Sequence, residues 1–283
     1  MRCAMIVHLI DLLKGKIEES ASAIHELAGK SRRLFGQRHY FTLGALMLQI
    51  ISQLQGGAAA EAAVLADELL ASAERTLGAE NVAMVETMEI IANVYMTTGR
   101  LEEARTLLGR SLLLYSCCHG DHHTLTMGVK GSLGLLHSEV GDLDDAAILL
   151  EDVLAHQKRT CGDDDPDVMN TQCNLGNVYL QQHRYDAGIE MMETSLDTCQ
   201  QVYGDRHPTT LNHMSNLANG LDQIGSPKAE AMAQDVLTMR RRILGDEHPD
   251  TLLSMQNIGT VLFKQGDFKA AELLLVEAEA GYT

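Results

Sequence analysis

The sequence predicts an all-α solenoid of seven helix–turn–helix hairpins, and three observations point there. The first is a pair of interleaved series with a period of 42 residues, broken once by a step of 41. Gly15, Gly57, Gly99, Gly141, His183, Gly225 and Gly266 form one series, and Gly36, Gly78, Gly120, Gly162, Gly204 and Gly245 the other. A period of that length marks stacked supersecondary units rather than one globular core. The second observation is helical periodicity inside each half-unit. Leu101, Ala104, Leu107, Leu108, Leu112 and Leu113 make one broad face of a 3.6-residue helix. The third is composition: 45% hydrophobic but only 4% aromatic, with no Trp. That mix suits helices in close contact better than strands, which favour β-branched and aromatic residues.

With Met1 as position one, the array forms a single domain over 1–283. Its units are 1–42, 43–84, 85–126, 127–168, 169–210, 211–251 and a shortened 252–283. The apolar start, Cys3 to Leu13, contains His8 and Asp11 and fits the repeat, so it reads as part of the array rather than a leader. Each half-unit ends at a glycine, the residue that most easily takes the left-handed conformation closing a helix. Pro166, Pro208 and Pro249 fall where the first helix of a unit begins, and Asp165 stands in N-cap position before its proline. In the second helices a small residue recurs five positions past the turn: Ser20, Ala62, Ala104, Ala146, Gly188 and Ala271. Ala229 lies only four past Gly225, so one residue is missing between Ser226 and Ala229, which accounts for the single step of 41.

The run Asn174-Leu175-Gly176-Asn177-Val178-Tyr179, followed by Tyr185 and Gly188, resembles the tetratricopeptide repeat. The linkers Gly204-Asp205-Arg206-His207-Pro208 and Gly245-Asp246-Glu247-His248-Pro249 resemble those of its kinesin-light-chain-like type. The resemblance implies a right-handed superhelix in which small residues let paired helices cross. These would be Ala92, Gly134, Gly176, Ala218 and Gly259 in the first helices, and Ala104, Ala146, Gly188, Ala229 and Ala271 in the second. His8 and Ile50 break that pattern in the first two units, where looser crossing is expected.

The resemblance also implies that first-helix side chains line a concave groove, including pairs three residues apart. In the fifth and sixth units Asn170, Asn174, Asn177 and Asn212, Asn216, Asn219 form stripes at i, i+4, i+7, and Asn257 continues them. Asparagine is a poor helix former, so the stripes need a reason. Each amide both donates and accepts, which suits reading the backbone of an extended peptide; the same amides could instead pin neighbouring helices. The corresponding positions nearer the N-terminus are Ile6, Leu9, Leu48, Ile51 and Ile90, followed by Asn93, Ser132 and Leu135. The apolar five either form a strip for the face of a partner helix or lie buried in irregular first units.

A net charge of −17 opposes binding to phosphate backbones, and no apolar run approaches the ~18 residues of a membrane span. Residues 1–84 carry 8 basic and 9 acidic groups, 85–168 carry 6 and 15, and 169–283 carry 8 and 15. The six cysteines mostly sit in apolar helical patterns, as buried thiols of an intracellular protein would. Cys117-Cys118-His119-Gly120-Asp121-His122-His123 has metal-ligand residue types, but His123 shares its linker slot with His39, His207 and His248, which lack cysteine neighbours. Asp163, Asp164, Asp165 and Asp167 lack the central Gly and bidentate Glu of a calcium loop. Arg240-Arg241-Arg242 reads as a solvated helix face. With no phosphate loop, nucleophile elbow or isolated carboxylate pair, the expectation is a non-catalytic module without cofactor or metal. Its partner would be another protein, held as a peptide or an amphipathic helix; the alternative is a constitutive subunit of a large assembly.

Overall fold

The computed structural model describes residues 17–36, 39–78 and 80–281, which are helical apart from short turns. The predicted helices of residues 1–16, with Ile6 and Leu9, lie outside this set. Two compact units result, Met1–Gly141 and Asp142–Thr283. The first holds α1 (Ile17–Phe35), α2 (Tyr40–Gln55), α3 (Ala59–Leu77), α4 (Val85–Thr97), α5 (Leu101–His119) and α6 (Thr124–Val140). A 3-10 turn, Val82–Met84, leads into α4. The second unit holds α7 (Leu143–Thr160), α8 (Pro166–Gln181), α9 (Tyr185–Tyr203), α10 (Pro208–Gln223), α11 (Lys228–Leu244), α12 (Pro249–Gln265) and α13 (Phe268–Gly281). Even-numbered helices from α2 to α12 are the first helices of the repeats. All but α4 begin three residues before the boundaries counted from Met1, at Tyr40, Thr124, Pro166, Pro208 and Pro249; α4 begins on its boundary at Val85, with the 3-10 turn filling the three residues before it.

The turn chemistry follows the repeat. Every glycine of the two series among the described residues has positive φ, from 69° to 93°, and His183 joins them at 62°. The predicted prolines occupy the first turns of α8, α10 and α12. Asp165 accepts the Asp167 N–H at 2.9 Å, as an N-cap should. In the same slot the Nδ1 atoms of His39, His123, His207 and His248 each accept a backbone N–H two residues on at 3.2 Å. The linker histidines are therefore helix caps. Thr42, Thr126 and Thr210 close the same loops, donating at 2.8 Å to the carbonyls of Gly36, Gly120 and Gly204.

Close crossing holds the hairpins. The small residues predicted at the crossings, including Ala92, Ala104, Ala146, Ala218, Ala229 and Ala271, are at most 4% exposed, whereas Ile50 is fully buried in the column where a small residue was expected. Between α8 and α9 a Cβ placed on Gly176 would stand 2.9 Å from the Gly188 carbonyl oxygen, and one on Gly188 would stand 2.8 Å from the Gly176 oxygen. The two backbones touch there. Around them Ala146, Leu150, Leu154, Leu175, Val178 and Tyr179 form one apolar cluster, and Leu180, Met192, Leu196, Leu217 and Leu221 part of the next. Adjacent hairpins are also clamped by side chains. Tyr95 of α4 donates to Asp67 of α3 at 2.6 Å, and Tyr179 of α8 to Glu151 of α7 at 2.7 Å. Arg100 and Arg184 lie over those rings at 3.9 and 3.8 Å, a cation–π contact that screens the carboxylates.

Candidate functional site

Within each unit first helices touch one another directly: α2 with α4, α4 with α6, α8 with α10 and α10 with α12. Among the described residues second helices do not approach each other so closely. Long ion pairs link them instead, Arg32–Glu68 at 2.8 Å, Arg110–Glu74 at 3.0 Å and Arg241–Glu277 at 2.6 Å. Helices that crowd on one side and spread on the other give each unit an inner face made of first helices.

The asparagine stripes of the second unit divide into two groups. Asn170 Oδ1 stands 3.3 Å from His213 Nε2, Asn212 Oδ1 accepts from Arg240 Nη2 at 2.5 Å, and Asn216 Nδ2 donates to Cys173 Sγ at 3.3 Å. These three amides are tied to the adjacent helix. Among the described residues Asn174, Asn177, Asn219 and Asn257 are partly exposed and have no such tie. They are free to face a ligand.

The ties of Asn170 and Asn212 belong to two buried polar clusters absent from the sequence reading. His213 Nδ1 meets Ser195 Oγ at 2.8 Å, and that hydroxyl also donates to the Met169 carbonyl at 2.8 Å. Burial holds the His213 imidazole below the ordinary histidine range, which favours its neutral form. Arg240 is only 3% exposed, which corrects the reading of the arginine run as a solvated face; Arg242 alone is exposed. The Arg240 Nη1 donates to Ser254 Oγ at 2.6 Å and to the Asp250 carbonyl at 2.9 Å.

The first unit carries a cavity of about 430 Å³ on its inner face, between α4 and α6. Glu89, Ile90, Asn93 and Met96 line it from α4, and Ser132 and Leu135 from α6. Four of these are positions the repeat assigns to the groove. Of the other apolar candidates, Ile51 is partly exposed, while Leu48 is 7% exposed, packs on Ile24 and offers no groove surface. Glu89 was not foreseen. Burial, reinforced by the neighbouring Glu86 charge, pushes its carboxyl up to about 7. The folded state thus holds this proton to about pH 7, whereas an unfolded glutamic acid releases it near ~4.3. Folded chains bind more protons across that window, so stability falls as pH rises through it. With the partial exposure discounted, Glu89→Gln should stabilise the protein by on the order of 2 kcal/mol at pH 8 and by little at pH 4.5. Urea midpoints at the two pH values check this; equal gains would mean the carboxyl titrates normally.

Among the described residues Cys117, Cys118 and Cys161 are exposed and only Cys173 and Cys199 are buried, which corrects the expectation that most of the thiols are buried. No three His, Cys, Asp or Glu side chains gather there around a possible metal position, and no helix is long and apolar enough to cross a membrane.

Stacked hairpins presenting their first helices on one face define a helical repeat protein. The chain belongs to the tetratricopeptide repeat family, whose model matches residues 83–159, 167–229 and 226–283. Among solved structures it is similar to the nearly identical TPR-like repeats assigned to a kinesin light chain of Podosopora anserina. That match has 22% identity and a TM-score of 0.57, covering 71% of this chain and 96% of the other. The Rap conjugation gene regulator of plasmid pLS20, in complex with the Phr* peptide, matches at 13% identity and TM-score 0.69, over 98% of this chain and 72% of that one. The APC/C hetero-tetramer Cut9–Hcn1 matches at 17% identity and TM-score 0.61, over 92% and 42%. A search of curated proteins gave no match.

Proposed function

We propose that the protein is a non-catalytic adaptor whose inner face holds an extended polypeptide. The observation that carries this is the set of untied amides, Asn174, Asn177, Asn219 and Asn257, on the first helices of the second unit. An amide can pair with both the N–H and the C=O of a strand that has no partner of its own. The pLS20 regulator, a protein of similar fold, forms a complex with the Phr* peptide, which supports a peptide as ligand. A net charge of −17 makes a polypeptide a better partner than a nucleic acid.

The test begins with peptides selected from a random library on the immobilised protein. The double variant Asn174→Ala, Asn219→Ala should bind them about tenfold or more weakly, each lost hydrogen bond counting for roughly 1 kcal/mol. Its melting temperature should not fall, because alanine is the better helix former and neither amide ties two helices. Unchanged affinity would remove the amides from the binding surface.

One observation favours a second reading, a constitutive subunit of an assembly. Val64 of α3, Leu113 of α5 and Ile148 of α7 are 64–70% exposed on second helices, opposite the inner face of their own unit. A single stoichiometric partner that resists high salt and shields these residues would put the subunit reading first.

A further inference from the structure

The cavity of the first unit carries a carboxylate, Glu89, that no cation among the described residues pairs with. Ile90 and Met96 on α4 and Leu135 on α6 give the cavity apolar walls. Glu89 lines the same space, half-buried, and among the described residues no cation or hydrogen-bond donor pairs with it. A carboxylate withdrawn from water without a partner is costly, and its raised pKa reflects that cost. Asn93 and Ser132 place two more acceptor oxygens on the lining, and the Ser132 hydroxyl directs its own hydrogen to the Gly128 carbonyl at 3.4 Å.

We infer that this cavity is a binding site for a lysine side chain of a polypeptide lying on the inner face of the first unit, its methylene stem along Ile90, Met96 and Leu135 and its ammonium on Glu89. This rests on the inner-face reading above and specifies one side chain of the partner. Lysine fits better than arginine because the acceptors come from three residues on two helices. Three diverging N–H groups match that scatter, whereas a guanidinium presents its donors in one plane. A lysine stem also tolerates apolar walls while its head stays paired.

The experiment uses the full chain and two small probes, Nα-acetyl-lysine N-methylamide and its norleucine counterpart, which keeps the stem and lacks the charge. Backbone amide shifts of Ile90, Asn93, Ser132 and Leu135 report binding by NMR at pH 8, where Glu89 is ionised. The lysine probe should bind at least tenfold more tightly than the norleucine probe. Glu89→Gln should abolish that preference while leaving the weak norleucine binding in place. Three results would overturn the assignment: equal binding of both probes, a lysine preference that survives in Glu89→Gln, or no saturable shift at tens of millimolar. None of these bears on the asparagine surface of the second unit, so failure here is separable from failure of the inner-face reading, which the Asn174→Ala, Asn219→Ala variant decides.

Discussion

Gly176→Leu should cost about 3 kcal/mol or more and melt the α8–α9 hairpin first. The reason lies in the backbone. At this position even a Cβ would stand 2.9 Å from the Gly188 carbonyl oxygen and 2.8 Å from Met192 Cγ. Met192 is a flexible side chain and can turn away, but the carbonyl belongs to α9 and moves only with the helix. Overpacking a close crossing typically costs ~1–3 kcal/mol, and parting two helices adds the loss of contacts around Leu175, Val178 and Tyr179. Urea denaturation should show the lowered midpoint, and hydrogen exchange should show α8 and α9 opening before α12. Gly225→Ala is a useful contrast, since nothing lies within 4 Å of a Cβ there and only its φ of 69° resists the change. If Gly176→Leu were as mild as Gly225→Ala, close crossing would not be what holds the hairpin.

Arg240→Ala should cost roughly 2–4 kcal/mol, an unusual loss for an arginine in a run of three. The guanidinium joins three elements of the second unit: Asn212 on α10, and Ser254 and the Asp250 carbonyl on α12, from its own place on α11. Truncation removes the donor from Asn212 and Ser254, leaves the Asp250 carbonyl only the Ser254 hydroxyl at 3.0 Å, and opens a void at a site only 3% exposed. Arg240→Met fills the void without replacing the donors, so it should recover about half the loss. Burial draws the Arg240 pKa below the usual arginine range, with the Asp250 charge acting the other way. Arg242→Ala, on the exposed side of the run, should change stability by less than about 0.5 kcal/mol. Equal effects at the two positions would contradict the buried geometry.

What the sequence made legible, and what it did not, follows from how a repeat carries information. Turns were readable because each requires the same backbone conformation; even His183 takes the positive φ of the glycines it replaces. Ile90, Asn93, Ser132 and Leu135, which the repeat places in equivalent positions, meet around one cavity. The residues missed are those that depart from their own column. The column of Glu89 reads Met47, Glu89, Gly131, Cys173, Ser215 and Gln256, with one charge in six positions. That of Arg240 reads Ser31, Ala73, Tyr115, Gln157, Cys199 and Arg240, again with one charge. Comparing columns rather than neighbours along the chain would have placed both side chains against other helices. The division of the asparagines could not be read in this way. Asn174 and Asn216 share a column, yet only Asn216 has a thiol within reach, at Cys173 on the preceding first helix.

The histidine caps show a different limit. His39, His123, His207 and His248 hold one slot with Asp165, and their Nδ1 atoms make the contact that the aspartate carboxylate makes. Histidine is not among the residues that usually cap helices, so residue type alone concealed a role that position revealed.

The central claim is that the inner face of first helices is the binding surface. Cross-saturation NMR tests it most directly: a protonated, library-selected peptide is irradiated on the deuterated protein, and transfer is read at side-chain NH2 groups. Transfer should reach Asn174, Asn177, Asn219 and Asn257 and spare Gln201 and Gln234 on the second helices. Transfer confined to Gln201 and Gln234, with those four asparagines silent, would contradict the account.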